Sequence, residues 1–233
     1  MGNWNDIHEE IATATIRRQR VSPHDEVRRA HLNALSNLTG RNTIAYYSGF
    51  LSRPNAEFAA LTQIGDDDKN GFMSCFKGCD WSKGLDIILH LPGGSIAATE
   101  TIIDYIRSKF GSNVRTIVPQ ISMSGRTLIA LAGRSIVMGL HSNLGPIDPQ
   151  FGSWPAIAVL KEFERASTEV TGNPNLALVW QPILAKYPPT LLSQAEHAIL
   201  WSKELGEKAL REGMLDGRPD AAAKATEIVE YLL

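Results

Sequence analysis

Between residues 85 and 139 the chain alternates between short, continuously apolar runs and helical patterns. That alternation limits the fold more than any other feature. LDIILHL (85–91) is followed by the turn PGGS (92–95) and by IAATETIIDYIRSKF (96–110). VRTIVPQ (114–120) leads into SGRTLIALAG (124–133), and RSIVMG (134–139) closes the series. Apolar runs this short, without polar alternation, read as strands buried on both faces. Within 96–110, Ile96, Ile103, Tyr105, Ile106 and Phe110 mark the apolar stripe of a helix. The order strand, helix, strand, helix, strand predicts an α/β fold with a parallel-sheet core and flanking helices.

The flanks extend this plan. TIAYYSGF (43–50) is rich in β-branched and aromatic residues and predicts a strand. IGDDDKNGFMSCF (64–76) predicts a helix with an acidic start. Asp66, Asp67 and Asp68 suit the positive end of its dipole, and they lack the spacing of a calcium loop. Upstream, two helices are expected at 5–20 and 24–38, with Ser22 as N-cap, Pro23 in the first turn and Gly40 as the stop. After the turn-rich LGPIDPQFG (144–152), helices are expected near 155–171, 175–186 and 190–212. The chain therefore divides into a helical N-terminal arm (1–40) and an α/β domain (41–233). The arm's RRQR and VRRAH charges read as a solvated face, with an oligomer contact as the alternative.

Several function classes are disfavoured. The net charge of −2 gives no global pull toward nucleic acid or an anionic membrane. No run approaches 18 apolar residues, and MGNWNDIHEEIATATIRRQR lacks the apolar stretch of a signal peptide. Asp6 stands where a myristoylation signal prefers Ser or Thr. We therefore expect a cytoplasmic protein without membrane insertion. Cys75 and Cys79 are too few for a zinc site and read as reduced thiols. Neither a phosphate-binding P-loop nor a metal or cofactor motif is present, so no cofactor is expected.

Two loops share one property: each follows a strand and opens a helix. In a parallel sheet, LPGGS and MSG both fall at the C-terminal strand ends, where open α/β folds bind ligands. Gly93 and Gly94 allow backbone N–H groups to approach a bound atom. Gly125 places another N–H beside the Ser124 hydroxyl. Together they could hold an oxyanion during acyl transfer. Local chemistry leaves Ser124 as either the N-cap of its helix or a nucleophile.

The stretches LDIILHLPGGSIAATETIIDYIRSKF and VRTIVPQISMSGRTLIALAGRSIVMGLHSNLGPIDPQ resemble the serine dehydrogenase proteinase family. That family is related to signal peptide peptidase A and Clp protease and has a ClpP/crotonase-like fold. The resemblance runs from about Thr43 to near Leu215, and LHLPGG, VPQISMS and LGPIDPQ are its most specific parts. It implies a serine peptidase domain over 41–233, with Ser124 as nucleophile and Gly94 and Gly125 as oxyanion hole. It also implies peptide or protein substrates and a homo-oligomer. Two alternatives stand beside this reading. One is a non-catalytic, ClpP-like peptide-binding or assembly module. The other is a crotonase-like acyl-CoA enzyme, for which no basic cluster suited to CoA phosphates stands out.

The chain departs from the family pattern in two places. Where the family reads MSAGT, this chain reads MSGRT, so Gly125 replaces Ala and Arg126 replaces Gly. A cation in the first turn of a helix opposes the dipole. We expect Arg126 either to turn to solvent or to pair with Asp148 or Glu100. Gripping a substrate carboxylate, in a substrate-binding role with Gly93, and filling the pocket are the further readings. The second departure is the base. Asp148 stands about where Clp proteases carry a histidine, and Ala156 aligns near the lysine of signal peptide peptidases. The remaining candidates are His141, Asp148, Lys161 and His197. His141 could instead cap its loop, and Asp148 could orient a base or Arg126, or close an Asx turn. Lys161 could be solvated, and His197 half-buried. His90, just before PGG, could face the site or the packed helix.

Overall fold

A computed structural model describes residues 3–16, 21–51, 61–151 and 154–233. Helices α1 (Trp4–Ile16) and α2 (Pro23–Thr39) come first. Residues 17–20, the predicted end of the first helix, lie outside the described residues. Ser22 is the N-cap of α2 with Pro23 at its start, and Gly40 ends it in the left-handed conformation (φ 68°). Strand β1 (Asn42–Tyr47), helix α3 (Asp68–Phe76), strand β2 (Leu85–His90) and helix α4 (Ile96–Phe110) follow. Then come β3 (Val114–Val118), β4 (Ile121–Ser122), helix α5 (Gly125–Leu131), β5 (Ser135–Met138) and β6 (Asn143–Leu144). A two-stranded antiparallel ribbon, β7 (Gln150–Phe151) with β8 (Trp154–Pro155), leads into helices α6 (Ala156–Gly172) and α7 (Ala177–Leu184). Helices α8 (Leu191–Glu212) and α9 (Ala221–Leu232) end the chain.

The main sheet has the order β1-β2-β3-β5 and is parallel throughout. Asn42 pairs with Leu85, Leu85 with Val114, and Arg115 with Ser135. This is the parallel α/β core that the alternating segments predict. The short strands β4 and β6 form a separate parallel pair beyond the C-terminal edge.

Period-2 geometry divides β2 between two environments. Leu85, Ile87 and Leu89 are fully buried in a core that includes Phe72 and Phe76 of α3, Ile102 and Ile103 of α4, and Leu128 and Ile129 of α5. Leu205 and Leu210 of α8 and Val229 of α9 complete it. On the other face sits Asp86, also fully buried. Its Oδ1 accepts from Arg41 Nε at 2.7 Å and from Arg115 Nε at 3.0 Å, while Oδ2 pairs with Arg115 Nη2. Arg41 also donates to the Leu85 and Asn113 carbonyls, so one carboxylate ties together the starts of three strands.

The expectation that helices cover both faces holds only in part. Helix α2 reaches β1, where the Arg28 guanidinium lies 4.5 Å over the Tyr47 ring. At the β5 edge, however, Val137, Met138 and Leu140 are exposed. Helix α9 has no counterpart among the expected elements. Its apolar stripe runs through Ala225, Ile228, Val229 and Leu232, and Ala225 and Val229 are fully buried. The acidic start of α3 is narrower than the aspartate run suggests. Asp68 accepts the Tyr46 hydroxyl and the Gly65 N–H, both at 2.8 Å, while Asp66 and Asp67 are exposed.

Replacing Asp86 with Ala strands two guanidinium groups over a buried position. We expect Asp86→Ala to lower the unfolding free energy by about 2–3 kcal/mol. Urea unfolding with an unchanged slope checks this. A loss within experimental error would mean that solvent satisfies both arginines.

Candidate active site

The site is built where β2 and the β3–β4 segment run out at the same edge of the sheet. After His90 the chain turns through Pro92, Gly93 and Gly94 into α4, whose N-cap Ser95 accepts the Ala98 N–H at 3.3 Å. Gly93 (φ 103°) faces Ser124 so closely that a Cβ there would lie 3.0 Å from the Ser124 Cβ and 3.1 Å from the Met123 carbonyl oxygen. Gly94 (φ 154°) is pressed on its other side by Ile64, whose backbone nitrogen would stand 2.3 Å from an added Cβ. Ile64 clasps this turn. Its N–H donates to the Gly93 carbonyl at 2.7 Å and its carbonyl accepts the Ser95 N–H at 3.0 Å. Both glycines are therefore required by close backbone approach.

Ser124 is the one non-glycine residue with positive φ among the described residues, at φ 55° and ψ −130°. Such backbone costs of order 1–3 kcal/mol and persists only where its surroundings impose it. They do so here. The Ser124 N–H donates to the Pro146 carbonyl at 2.9 Å, and the Thr127 N–H donates back to the Ser124 carbonyl at 2.8 Å. The fully buried Thr127 hydroxyl lies 3.0 Å from the carbonyl oxygens of both Ser122 and Gly145 and donates to either. Pro146 is held in turn by Ile147, whose N–H donates to the Leu232 carbonyl at the end of α9.

The Ser124 side chain does not cap α5. Its hydroxyl has no hydrogen-bond partner among the described residues. The same holds for the N–H groups of Gly94 and Gly125. The glycine at 125 also has a local cause: a Cβ there would lie 2.5 Å from Thr99 Oγ1 on α4.

Arg126 differs from both expected placements. It is 1% exposed, so it does not turn to solvent. It forms no ion pair among the described residues, and its Nε and Nη1 are buried without a hydrogen-bond partner. Glu100 instead accepts from Trp201 Nε1 at 2.8 Å. The Arg126 guanidinium carbon lies 5.7 Å from the Phe50 ring centroid, and the Phe50 and His90 rings lie 5.3 Å apart, tilted at 46°. Burial pushes the Arg126 pKa down to about 10. Burial and, second, the Arg126 charge hold the His90 imidazole below its ordinary value.

The candidate bases sit on different elements. Asp148 lies two residues beyond Pro146. Its carboxylate accepts the Ile157 N–H at the start of α6, and its Oδ1 is buried without a partner. Burial raises its pKa and the Ile157 bond opposes that shift. His141 is exposed and folds back on Gly139. The next residue, Ser142, bonds the Pro119 carbonyl, at the far end of the β4–β6 pair. His141 forms no hydrogen bond with Ser124 among the described residues. Lys161 is exposed on α6, while Ala156 at the helix start is fully buried. His197 is exposed on α8 rather than half-buried.

Sequence reasoning missed Ile64, Thr127 and Phe50 as parts of this site. The threonine of MSGRT was the one readable signal, since a hydroxyl one turn into a helix invites a backbone bond.

An open parallel sheet whose edge carries a glycine turn against a strained serine defines a ClpP-like α/β protein. The family of ClpP-like SDH-type serine proteinases matches residues 49–185, more than half of the chain, and the chain belongs to it. It is also similar to two uncharacterized proteins of Methanocaldococcus jannaschii. One is 30% identical over 148 residues, 63% of this chain and 49% of that protein. The other is 37% identical over 87 residues, 37% of this chain and 30% of that protein. The chain thus spans half or less of the length of these relatives.

Two outcomes test this geometry. Ser124→Gly removes the steric cause of strain, and we expect it to raise stability by about 1 kcal/mol in urea unfolding. No gain would mean that the turn is unstrained. Arg126→Leu removes one of the two influences on His90, and its pKa should rise toward, without reaching, the ordinary 6.5. An NMR titration of the ring reads this. The sign for stability follows. The unfolded chain holds the His90 proton more tightly, so acidification from about 6.5 through the folded value destabilises the protein. That loss should shrink in Arg126→Leu.

Proposed function

We propose that the chain is a serine peptidase-type hydrolase acting on peptides or proteins through an acyl-enzyme on Ser124. Family membership supports the peptidase class. The observation that carries the finer reading is the Ser124 turn. A residue with φ 55° holds its hydroxyl free of the helix cap, beside two N–H groups without acceptors. In this reading Ser124 Oγ attacks the scissile carbonyl carbon and passes its proton to a base. The N–H groups of Gly94 and Gly125 take the oxyanion, donors that are rigid before substrate arrives. Collapse breaks the C–N bond and the amine leaves with the proton. Water then hydrolyses the ester by the reverse proton path.

Asp148 is the base or base-orienting group in this proposal. It follows the loop that holds the Ser124 N–H, one of its oxygens is unpaired, and burial raises its pKa into a more basic range. The hydrogen bond to Ser124 Oγ then forms as substrate binds, as catalytic bonds that are long in free enzymes do. We also propose that residues 1–40 are an arm appended to the domain 41–233, and that the protein is a homo-oligomer. The exposed Val137, Met138 and Leu140 at the edge strand β5 support the second point. No helix among the described residues is long and apolar enough to cross a membrane.

One observation favours a second reading. The Ser124 hydroxyl meets no basic side chain among the described residues, which suits a peptide-binding module without catalysis.

Labelling with a fluorophosphonate probe separates the two. We expect modification confined to Ser124 and absent in Ser124→Ala. Asp148→Asn should slow it at least tenfold, because Asn retains the cap on Ile157 and loses basicity. Lys161→Ala and His141→Ala should leave the rate unchanged. Absence of labelling across pH 6–9 would favour the binding module.

A further inference from the structure

Among the described residues, the most buried cation, Arg126, makes no ion pair. Arg41 and Arg115 share Asp86, and Arg107 pairs with Glu212 while donating to the Ala209 carbonyl at 2.9 Å. All three are more exposed than Arg126, which is 1% exposed with Nε and Nη1 unsatisfied. Burying an ion without a partner is strongly unfavourable even after relaxation. Such a group is retained where something else completes it.

Its surroundings say where the missing anion would sit. His90 ends β2, and Gly93, three residues on, touches Ser124. Phe50, three residues beyond the end of β1, bridges His90 and Arg126. The guanidinium therefore belongs to the C-terminal edge of the parallel sheet, on the same short stretch of edge as the serine. The Phe50 ring forms an apolar wall that strengthens any charge pairing there. Glu100 is engaged with Trp201, and Asp148 forms no ion pair with the guanidinium.

We propose that Arg126, flanked by His90 and Phe50, is a carboxylate-binding subsite next to Ser124, which selects peptides carrying a carboxylate beside the bond presented to that serine. A planar guanidinium matches a carboxylate better than any other peptide group. The carboxylate comes either from the peptide's C-terminus or from an Asp or Glu side chain. The word substrate rests on the hydrolase reading, whereas carboxylate binding does not.

The test is binding to the full-length Ser124→Ala protein, which is independent of turnover. Three probes are compared: N-acetyl-Ala-Ala with a free C-terminus, its C-terminal amide, and N-acetyl-Ala-Glu-amide. Titrations are followed by the His90 ring resonances. At least one carboxylate probe should bind tenfold or more tighter than the uncharged amide, and should shift the His90 signals. The tighter one identifies the source: the free acid points to release of C-terminal residues, the Glu amide to cleavage beside acidic residues. In Arg126→Leu the preference should vanish while the thermal midpoint holds or rises, since an unpaired charge has gone.

Equal affinity for all three probes overturns the proposal, and that comparison needs no Arg126 variant to fold. A preference that survives in folded Arg126→Leu overturns it too. Equal affinity for the three probes together with loss of an oligomeric state in Arg126→Leu would assign the anion to a second copy. Failure of fluorophosphonate labelling leaves the acid-against-amide comparison intact and counts against the hydrolase reading alone.

Discussion

Leu85 pairs with Val114, and from there β2 and β3 run side by side in the same direction. Parallel pairing requires every strand to leave the sheet at one edge and return by a crossover. The glycine turn after β2 and the serine turn after β3 are thereby placed together, although thirty residues separate them in the chain. Gly93 then abuts Ser124, with room for no Cβ between them. At the opposite edge Asp86 fixes the starts of β1, β2 and β3 through Arg41 and Arg115. Both ends of the sheet are thus held by specific contacts, and the helices supply the apolar burial in between.

Strain at Ser124 is the local expression of that frame. The bonds from Pro146 and Thr127 and the crowding by Gly93 leave the serine no ordinary backbone conformation. A serine with freer backbone would use its hydroxyl to cap α5, as serines at helix starts commonly do. Here the cap is not made and the hydroxyl stays available. Stability has been given up at one residue, and the rest of the fold is large enough to carry it. Arg126 is a second such place: a buried cation without an anion, two residues along the same turn.

Much of this was legible in the residues. The apolar runs and amphipathic segments between 85 and 139 returned β2, α4, β3, α5 and β5 with boundaries within two residues. The glycines of LPGG and the serine of MSGRT were recognisable as two halves of one site because both sit between strand and helix. Helix α9 was missed although Ala225, Ile228, Val229 and Leu232 repeat at helical spacing, and the structure packs that face into the core. Arg126 was misplaced for a related reason. Charged residues are nearly always exposed or paired, so a sequence rule sends an arginine to one or the other.

Local chemistry by itself determined the class of fold and pointed to the two loops of the candidate site. Each follows from interactions within about fifteen residues: strand hydrophobicity, helix periodicity, and the absence of side chains at Gly93 and Gly94. Only the tertiary structure decided the conformation of Ser124, the burial of Arg126 near Phe50, and the exposure of His141 and Lys161. These depend on groups distant in the chain: Ile64 on Gly94, Pro146 on Ser124, and Leu232 on Ile147. Which of many polar groups will meet is set by the packing of the whole core, and no local pattern contains that information.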